Sequence, residues 1–168
     1  MDAGASISSI VHPVSSPTVI RTQRPPAAGD LLAWFERGES RFGVDWEVLA
    51  AVMFVESKFG RVRSASSAGA QGPMQFLPST WAAYGLGGDI HDAHDAILAA
   101  ANDLHASGAP GRERAALHAY NHSWAYVDAV EGYAGRMRQD PLAFYAFYDW
   151  QVFVLTTNGA VRLTGPGR

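Results

Sequence analysis

The sequence predicts a mainly helical domain that ends in a β-hairpin. Three observations predict it. Apolar residues recur at helical spacing between cap and stop residues over most of the chain. The stretch Val48-Leu-Ala-Ala-Val-Met-Phe-Val55 is apolar nearly all round, as a central helix is. The last stretch becomes β-branched and aromatic on both sides of Asn158-Gly159, a strong two-residue hairpin signal.

Residues 1–29 read as a flexible Pro/Ser-rich tail, with Pro13, Pro17, Pro25 and Pro26 among serines and alanines. Asp30 is the expected N-cap of a first helix carrying Leu31, Trp34, Phe35 and Phe42, which Gly43 stops. Asp45 is the next cap, and the apolar helix behind it runs to about Ser57. Residues 60–73 are small and glycine-rich, so a shaped loop is expected. Pro78 suits the first turn of a helix through Tyr84, ended by Gly85, Gly87 and Gly88. Asp92 caps a helix to Ser107, with Ile97, Ala101 and Leu104 inward and Gly108 beyond its end. Helices follow at 111–120 and 123–139, the second with Val127, Val130 and Ala134 inward. Pro141 opens a short aromatic helix, Phe144 to Trp150. The hairpin strands are read as Gln151–Thr157 and Ala160–Thr164. The division is thus a tail to 29, a helical domain over 30–140, and an aromatic helix with hairpin over 141–168 packed on the domain.

At 168 residues the chain is long enough for one real core. With no cysteine it has no disulfide, thiolate metal site or thiol nucleophile. A net charge of −3 argues against non-specific nucleic-acid binding. The longest apolar run falls far short of the roughly 20 residues a bilayer span needs. No opening segment reads as an export signal.

Glu56 stands three, four and seven residues after Met53, Val52 and Leu49, on one face of the apolar helix. A carboxylate there is out of place unless paired or protonated. Desolvation raises its pKa and makes it a general acid that keeps its proton near neutral pH. The competing reading, equally open on position alone, is a salt bridge to Arg61, Arg63 or another arginine.

Three motifs follow in order: Glu56-Ser-Lys-Phe-Gly60, then Ser66-Ser-Ala-Gly-Ala-Gln-Gly-Pro-Met-Gln-Phe76, then Ala119-Tyr-Asn121. Together they resemble the lytic transglycosylases of the goose-type-lysozyme-like superfamily over roughly residues 43–138. Pro73 stands where soluble-type members usually carry leucine. Gly-Pro-Met-Gln-Phe and Phe59-Gly60-Arg61 look more like the membrane-bound type B members. The resemblance implies a lysozyme-like helical domain with a substrate cleft. It also implies non-hydrolytic cleavage of the β-1,4 bond between N-acetylmuramic acid and N-acetylglucosamine in peptidoglycan strands.

Most glycosidases need two carboxylates. A lytic transglycosylase needs one, which gives a proton to the glycosidic oxygen and then takes one from the C6 hydroxyl as a 1,6-anhydro ring closes. The resemblance assigns both roles to Glu56. It makes Ser57, Ser66, Met74, Gln75, Phe76, Tyr120 and Asn121 the substrate-binding set, with Ser67 fitting in place of Ser66 after a one-residue slip. Phe76 and Tyr120 are the first choices for stacking on sugar rings, ahead of Trp81, Tyr84, Trp124 and Tyr126. Asp89, Asp92 and Asp95 are the candidate second carboxylates of a hydrolytic muramidase, though helix capping explains them better. An inactive peptidoglycan-binding domain is the remaining alternative.

His91, Asp92, His94 and Asp95 imitate a metal cluster, and His118 and His122 imitate the i, i+4 pair of a zincin. Ala119 stands where that pattern needs glutamate, and the resemblance implies no metal or cofactor. A monomer acting on glycan strands at the cell envelope or outside the cell is expected.

Overall fold

The computed structural model describes residues 21–63 and 69–164. Among these, the helices are α1 (Ala28–Phe42), α2 (Trp46–Ser57), α3 (Pro78–Tyr84), α4 (Ala93–Ala106), α5 (Glu113–Tyr120), α6 (Trp124–Gln139) and α7 (Ala143–Tyr148). Strands β1 (Val152–Thr156) and β2 (Gly159–Thr164) pair antiparallel behind them. The domain is mainly helical, as the sequence predicts.

Helix α2 is the centre of the molecule. Val48, Leu49, Ala50, Ala51, Val52, Met53 and Phe54 are all buried, because α1, α4, α6 and α7 pack around it. Burying a large apolar side chain contributes about 1.5–3 kcal/mol, so this helix carries a large share of the stability. Close packing needs Gly38 on α1. A Cβ there would stand 2.7 Å from Leu49 Cδ1 and 3.4 Å from Ala101 Cβ, so a side chain would push α1 away from α2 and α4.

Two helix starts differ from expectation in instructive ways. Helix α1 begins after Ala27, not Asp30. The chain leaves Pro25 and Pro26 already extended, and Asp30 falls in the first turn, where a negative charge favours the helix dipole. Asp45 precedes α2 as expected, but its carboxylate accepts from Arg138 at 2.8 Å and makes no cap bond. Asp92 does cap α4, accepting from Asp95 N–H at 3.0 Å.

Residues 21–27, read from sequence as part of the tail, lie along the domain. Gln23 N–H donates to Arg61 O at 2.9 Å, and Arg63 N–H donates to Arg21 O at 2.8 Å. The Tyr148 hydroxyl donates to Pro26 O at 2.8 Å. Residues 1–20 are outside the described part.

Helix α7 closes one side of the core through Phe144 and Phe147. Phe147 stacks on Phe54 at 5.3 Å between ring centroids, and Phe144 meets Phe59 edge-on at 5.5 Å. In the hairpin, Phe153 and Val161 are exposed, so these side chains add nothing to the core. Thr156 pairs with Gly159, which moves the connecting residues to Thr157-Asn158, one position earlier than the Asn-Gly signal suggests. Gly159, free of a Cβ, takes φ 110° inside the first pair of β2.

Candidate active site

Glu56 occupies the last turn of α2, one residue before its end. Leu49, Val52 and Met53, which share its face, are fully buried, while Glu56 itself is half-buried. Burial pushes its carboxyl up to about 7. The Tyr126 hydroxyl and the Lys58 ammonium pull in the opposite direction with less effect. No salt bridge joins Glu56 to an arginine among the described residues. Arg61 instead lies 4.6 Å over the Tyr148 ring, and Arg63 is exposed. The acid therefore sits at the edge of the core without a guanidinium to fix its charge.

The segment after Glu56 is bent sharply. Lys58, Phe59 and Gly60 have φ of 53°, 60° and 80° in succession. Ser57 holds this bend to the second motif. Its buried hydroxyl donates to Pro73 O at 2.6 Å and accepts from Gly60 N–H at 2.8 Å. Gln71 and Phe76 exchange backbone bonds of 2.8 and 2.9 Å and so close the turn Gly72-Pro73-Met74-Gln75. Gly72 has φ 74°, and a Cβ on it would lie 1.9 Å from Ile90 O. Only glycine fits there.

The third motif joins from the other side. The Tyr120 hydroxyl donates to Met74 O at 2.7 Å, and its ring meets Phe76 at 5.6 Å. Neighbouring carbonyls of one turn are thus gripped by Ser57 at the end of α2 and Tyr120 at the end of α5. This brings the three motifs together around Glu56. Tyr120 is near enough for the Glu56 charge to help burial hold its hydroxyl well above the ordinary tyrosine value.

The predicted binding set divides by exposure. Ser57, Met74 and Phe76 are buried, so they shape the site from behind and offer a substrate little surface. Met74 and Phe76 form part of the core, and Phe76 packs on Trp81 as well as Tyr120. Gln75 is half-buried at φ 53°, and its amide donates to Gly72 O at 2.9 Å. Asn121, half-buried, is the C-cap residue of α5. Ser66 and Ser67 lie outside the described residues. A pocket of about 110 Å³ beside the turn is lined by Gln23, Arg63, Gln75 and His91 among others, and Glu56 does not line it.

Sequence reasoning gave Tyr126 too small a part. It stands in the first turn of α6, buried, with the backbone N–H accepted by Ser123 Oγ at 3.4 Å. Its hydroxyl acts on Glu56 but makes no hydrogen bond of ordinary geometry. Burial, then the Glu56 charge, raise it well above the usual tyrosine range. The available signal was its place on the apolar stripe with Val127 and Val130, since a buried tyrosine hydroxyl needs a polar neighbour. Lys58 is a second residue of the site that no sequence motif singles out. Its ammonium donates to Phe54 O at 2.9 Å, and burial pulls it down to about 8 against an upward pull from Glu56.

The aspartates proposed as second carboxylates have other partners. Asp92 caps α4, Asp95 accepts from Asp89 N–H at 3.0 Å, and Asp89 accepts from His91 N–H at 2.8 Å. Asp92, His94 and Asp95 do gather their ligand-type atoms within 4.8 Å of one another. Their oxygens already bind backbone N–H groups at a helix start. His118 stacks on Trp124 at 4.2 Å, and His122 lies edge-on to His118 at 6.0 Å.

A family profile for the transglycosylase SLT domain matches residues 33–141. No curated protein gives a significant match. Among solved structures, the fold is similar to the Escherichia coli lytic transglycosylase Slt35 in complex with bulgecin A. That similarity has a TM-score of 0.55 at 15% identity, covering 82% of this chain and 78% of that one. It is similar also to Slt35 in complex with calcium, with a TM-score of 0.55, 13% identity and the same coverage. The profile spans most of the helical domain, including all three motifs, and the chain belongs to the transglycosylase SLT domain family.

Proposed function

We propose that the chain is a peptidoglycan lytic transglycosylase in which Glu56 is the single general acid and base. Family membership supports a lytic-transglycosylase-type activity on peptidoglycan. The observation that carries the finer reading is the state of Glu56. Its carboxyl is raised to about 7 by burial, and the groups that act on it are Tyr126 and Lys58, with no second carboxylate among them. Residues 64–68, Ser-Ala-Ser-Ser-Ala, contain no acid either.

Protonated Glu56 donates to the glycosidic oxygen as the C1–O bond breaks, and the N-acetyl group of the substrate supports the positive centre. The resulting carboxylate takes the proton of the C6 hydroxyl while that oxygen closes on C1. Glu56 ends in the state in which it began, and the product carries a 1,6-anhydro ring. One carboxyl group suffices because the nucleophile belongs to the substrate. A hydrolase would need a further base for water. Gln75, in the turn that Ser57 holds to the acid-bearing bend, and Asn121, next to Tyr120, are both half-buried and are the polar contacts for the sugar's amide and hydroxyl groups. Peptidoglycan as substrate places the action at the cell envelope. No helix among the described residues is long and apolar enough to cross a membrane.

Mass spectrometry of digested glycan strands tests the proposal. Anhydro ends, lighter by one water than hydrolytic ends, are expected with the native chain, and no turnover with Glu56→Gln. Reducing ends alone would make the protein a muramidase. Turnover that survives Glu56→Gln would remove Glu56 from the role.

A further inference from the structure

Of the 13 lysines and arginines in the chain, one is a lysine, and it lies two residues after Glu56. Lys58 and Phe59 both adopt positive φ, 53° and 60°. Such a conformation costs a non-glycine residue on the order of 1 kcal/mol or more, so the surroundings enforce it. The bend turns the Lys58 side chain back along α2. Its Nζ donates to Phe54 O at 2.9 Å and stands 4.3 Å over the Phe54 ring. A carbonyl at a helix C-terminus and an aromatic face both favour a cation, so the ammonium is fixed in place and largely out of bulk water. It is held beside the last turn of α2, the turn that bears Glu56.

We infer that Lys58 is a positioning residue whose ammonium group is the fixed counter-charge for the carboxylate that Glu56 becomes after giving up its proton. The inference rests on the reading of Glu56 as the acid and base. In the first step the proton passes from Glu56 to the bridging oxygen, and the new negative charge forms on the turn whose Phe54 carbonyl holds the ammonium. No ion pair within 4.0 Å joins the two among the described residues, so the ammonium acts through space and keeps its own proton. In the second step the C6 hydroxyl returns a proton to Glu56, and the charge disappears. Lys58 stabilises only the state between the two, which is where stabilisation speeds the reaction.

The groups around it come from several elements. Glu56 shares its helix. Tyr133 from α6 stands edge-on to the same Phe54 ring at 4.8 Å, and Tyr126 from α6 acts on Glu56. Arg61 Nη1 reaches Lys58 O at 3.5 Å, and the Tyr120 hydroxyl from α5 is bound to Met74 O and feels the Glu56 charge. Among these, the charge that acts on Lys58 is that of Glu56. Lys58 also caps α2, since its backbone N–H goes to Phe54 O at 3.0 Å. The test must therefore separate capping from charge.

Three measurements on the full chain with Lys58→Gln, Lys58→Met and Lys58→Arg do so: melting temperature, the pH profile of kcat on glycan strands, and titration of the Glu56 carboxyl carbon by NMR. Removing the positive charge leaves Glu56 a weaker acid. With Lys58→Gln, kcat is expected to fall about tenfold, and the Glu56 pKa and the alkaline limb to rise by about one unit. Lys58→Met keeps the aliphatic stem on Phe54 and is expected to show the same changes, so the test stands if the Gln variant fails to fold. Lys58→Arg restores the charge and is expected to return the limb toward the native pH. A Glu56 titration and a pH profile unmoved in both neutral variants, with only the melting temperature lowered, would reduce Lys58 to a cap and overturn the inference. An inactive native chain would instead bring down the Glu56 reading, and the inference with it.

Discussion

Glu56→Gln should make the protein more stable as well as inactive, and the gain should appear only at high pH. The folded-state value of Glu56 is about 7 against an ordinary 4.5, so the folded chain binds this proton more tightly than the unfolded chain does. That contribution to stability is fully present below about pH 4.5 and is lost as pH rises through 7. Above 7, ionising the group in place costs about 3.5 kcal/mol, the difference between about 7 and 4.5 at about 1.4 kcal/mol per tenfold change in the acid's ionisation constant. Solvent reaches the half-buried group, so about 2 kcal/mol is the working figure. Glutamine has the same shape and no charge to desolvate. The variant should match the native chain near pH 4.5 and exceed it by about 2 kcal/mol near pH 8.5, or about 5 °C in melting temperature for a chain of this length. Lys58 loses its counter-charge in the variant, but with a value of about 8 it is mostly neutral at the upper pH. Thermal unfolding of both proteins across this range at matched ionic strength measures the difference. A stability gap that stays constant with pH would refute the desolvated acid.

Ser57→Ala leaves Pro73 O without its donor and Gly60 N–H without its acceptor. It should cost about 2 kcal/mol in unfolding free energy and lower kcat as the turn loosens from α2. Gly72→Ala drives a Cβ to 1.9 Å from Ile90 O at φ 74° and should abolish soluble folding. Gly69→Ala, at φ 82° with nothing within 4 Å, should cost only about 1 kcal/mol, so comparing soluble yield and melting temperature isolates the clash. Tyr126→Phe removes a hydroxyl that lowers the Glu56 value, so the alkaline limb of the rate profile should move upward. Its stability should change by less than about 1 kcal/mol, because the hydroxyl has no ordinary hydrogen bond to lose. A limb that moves downward would contradict the contact.

Features set by neighbouring residues were the legible ones. The apolar run of α2 announced a central helix, and a carboxylate on it announced an acid out of place. Pro78 at the start of α3 and Asp92 at the cap of α4 fall where local chemistry puts them. Features set by distant partners were not legible. Asp45 turns from capping to Arg138, a residue 93 positions away. Ser57 is a substrate contact by the resemblance, and its hydroxyl is engaged by the Pro73 carbonyl, 16 positions away. Met74 and Phe76 are motif members by resemblance; Met74 suits core packing equally well on sequence alone, and the structure buries both, with Phe76 packed on Tyr120 and Trp81. Positive φ at Lys58 could not be read from a lysine codeword, since lysine has no preference for it.

The most direct test follows the carboxyl carbon of Glu56 by NMR in the unliganded native chain, with Glu56→Gln identifying the signal. A midpoint near 7, well above the other glutamates, is the predicted result. A midpoint near the ordinary 4.5 would mean that water reaches the group freely, and the one-carboxylate chemistry would lose its acid.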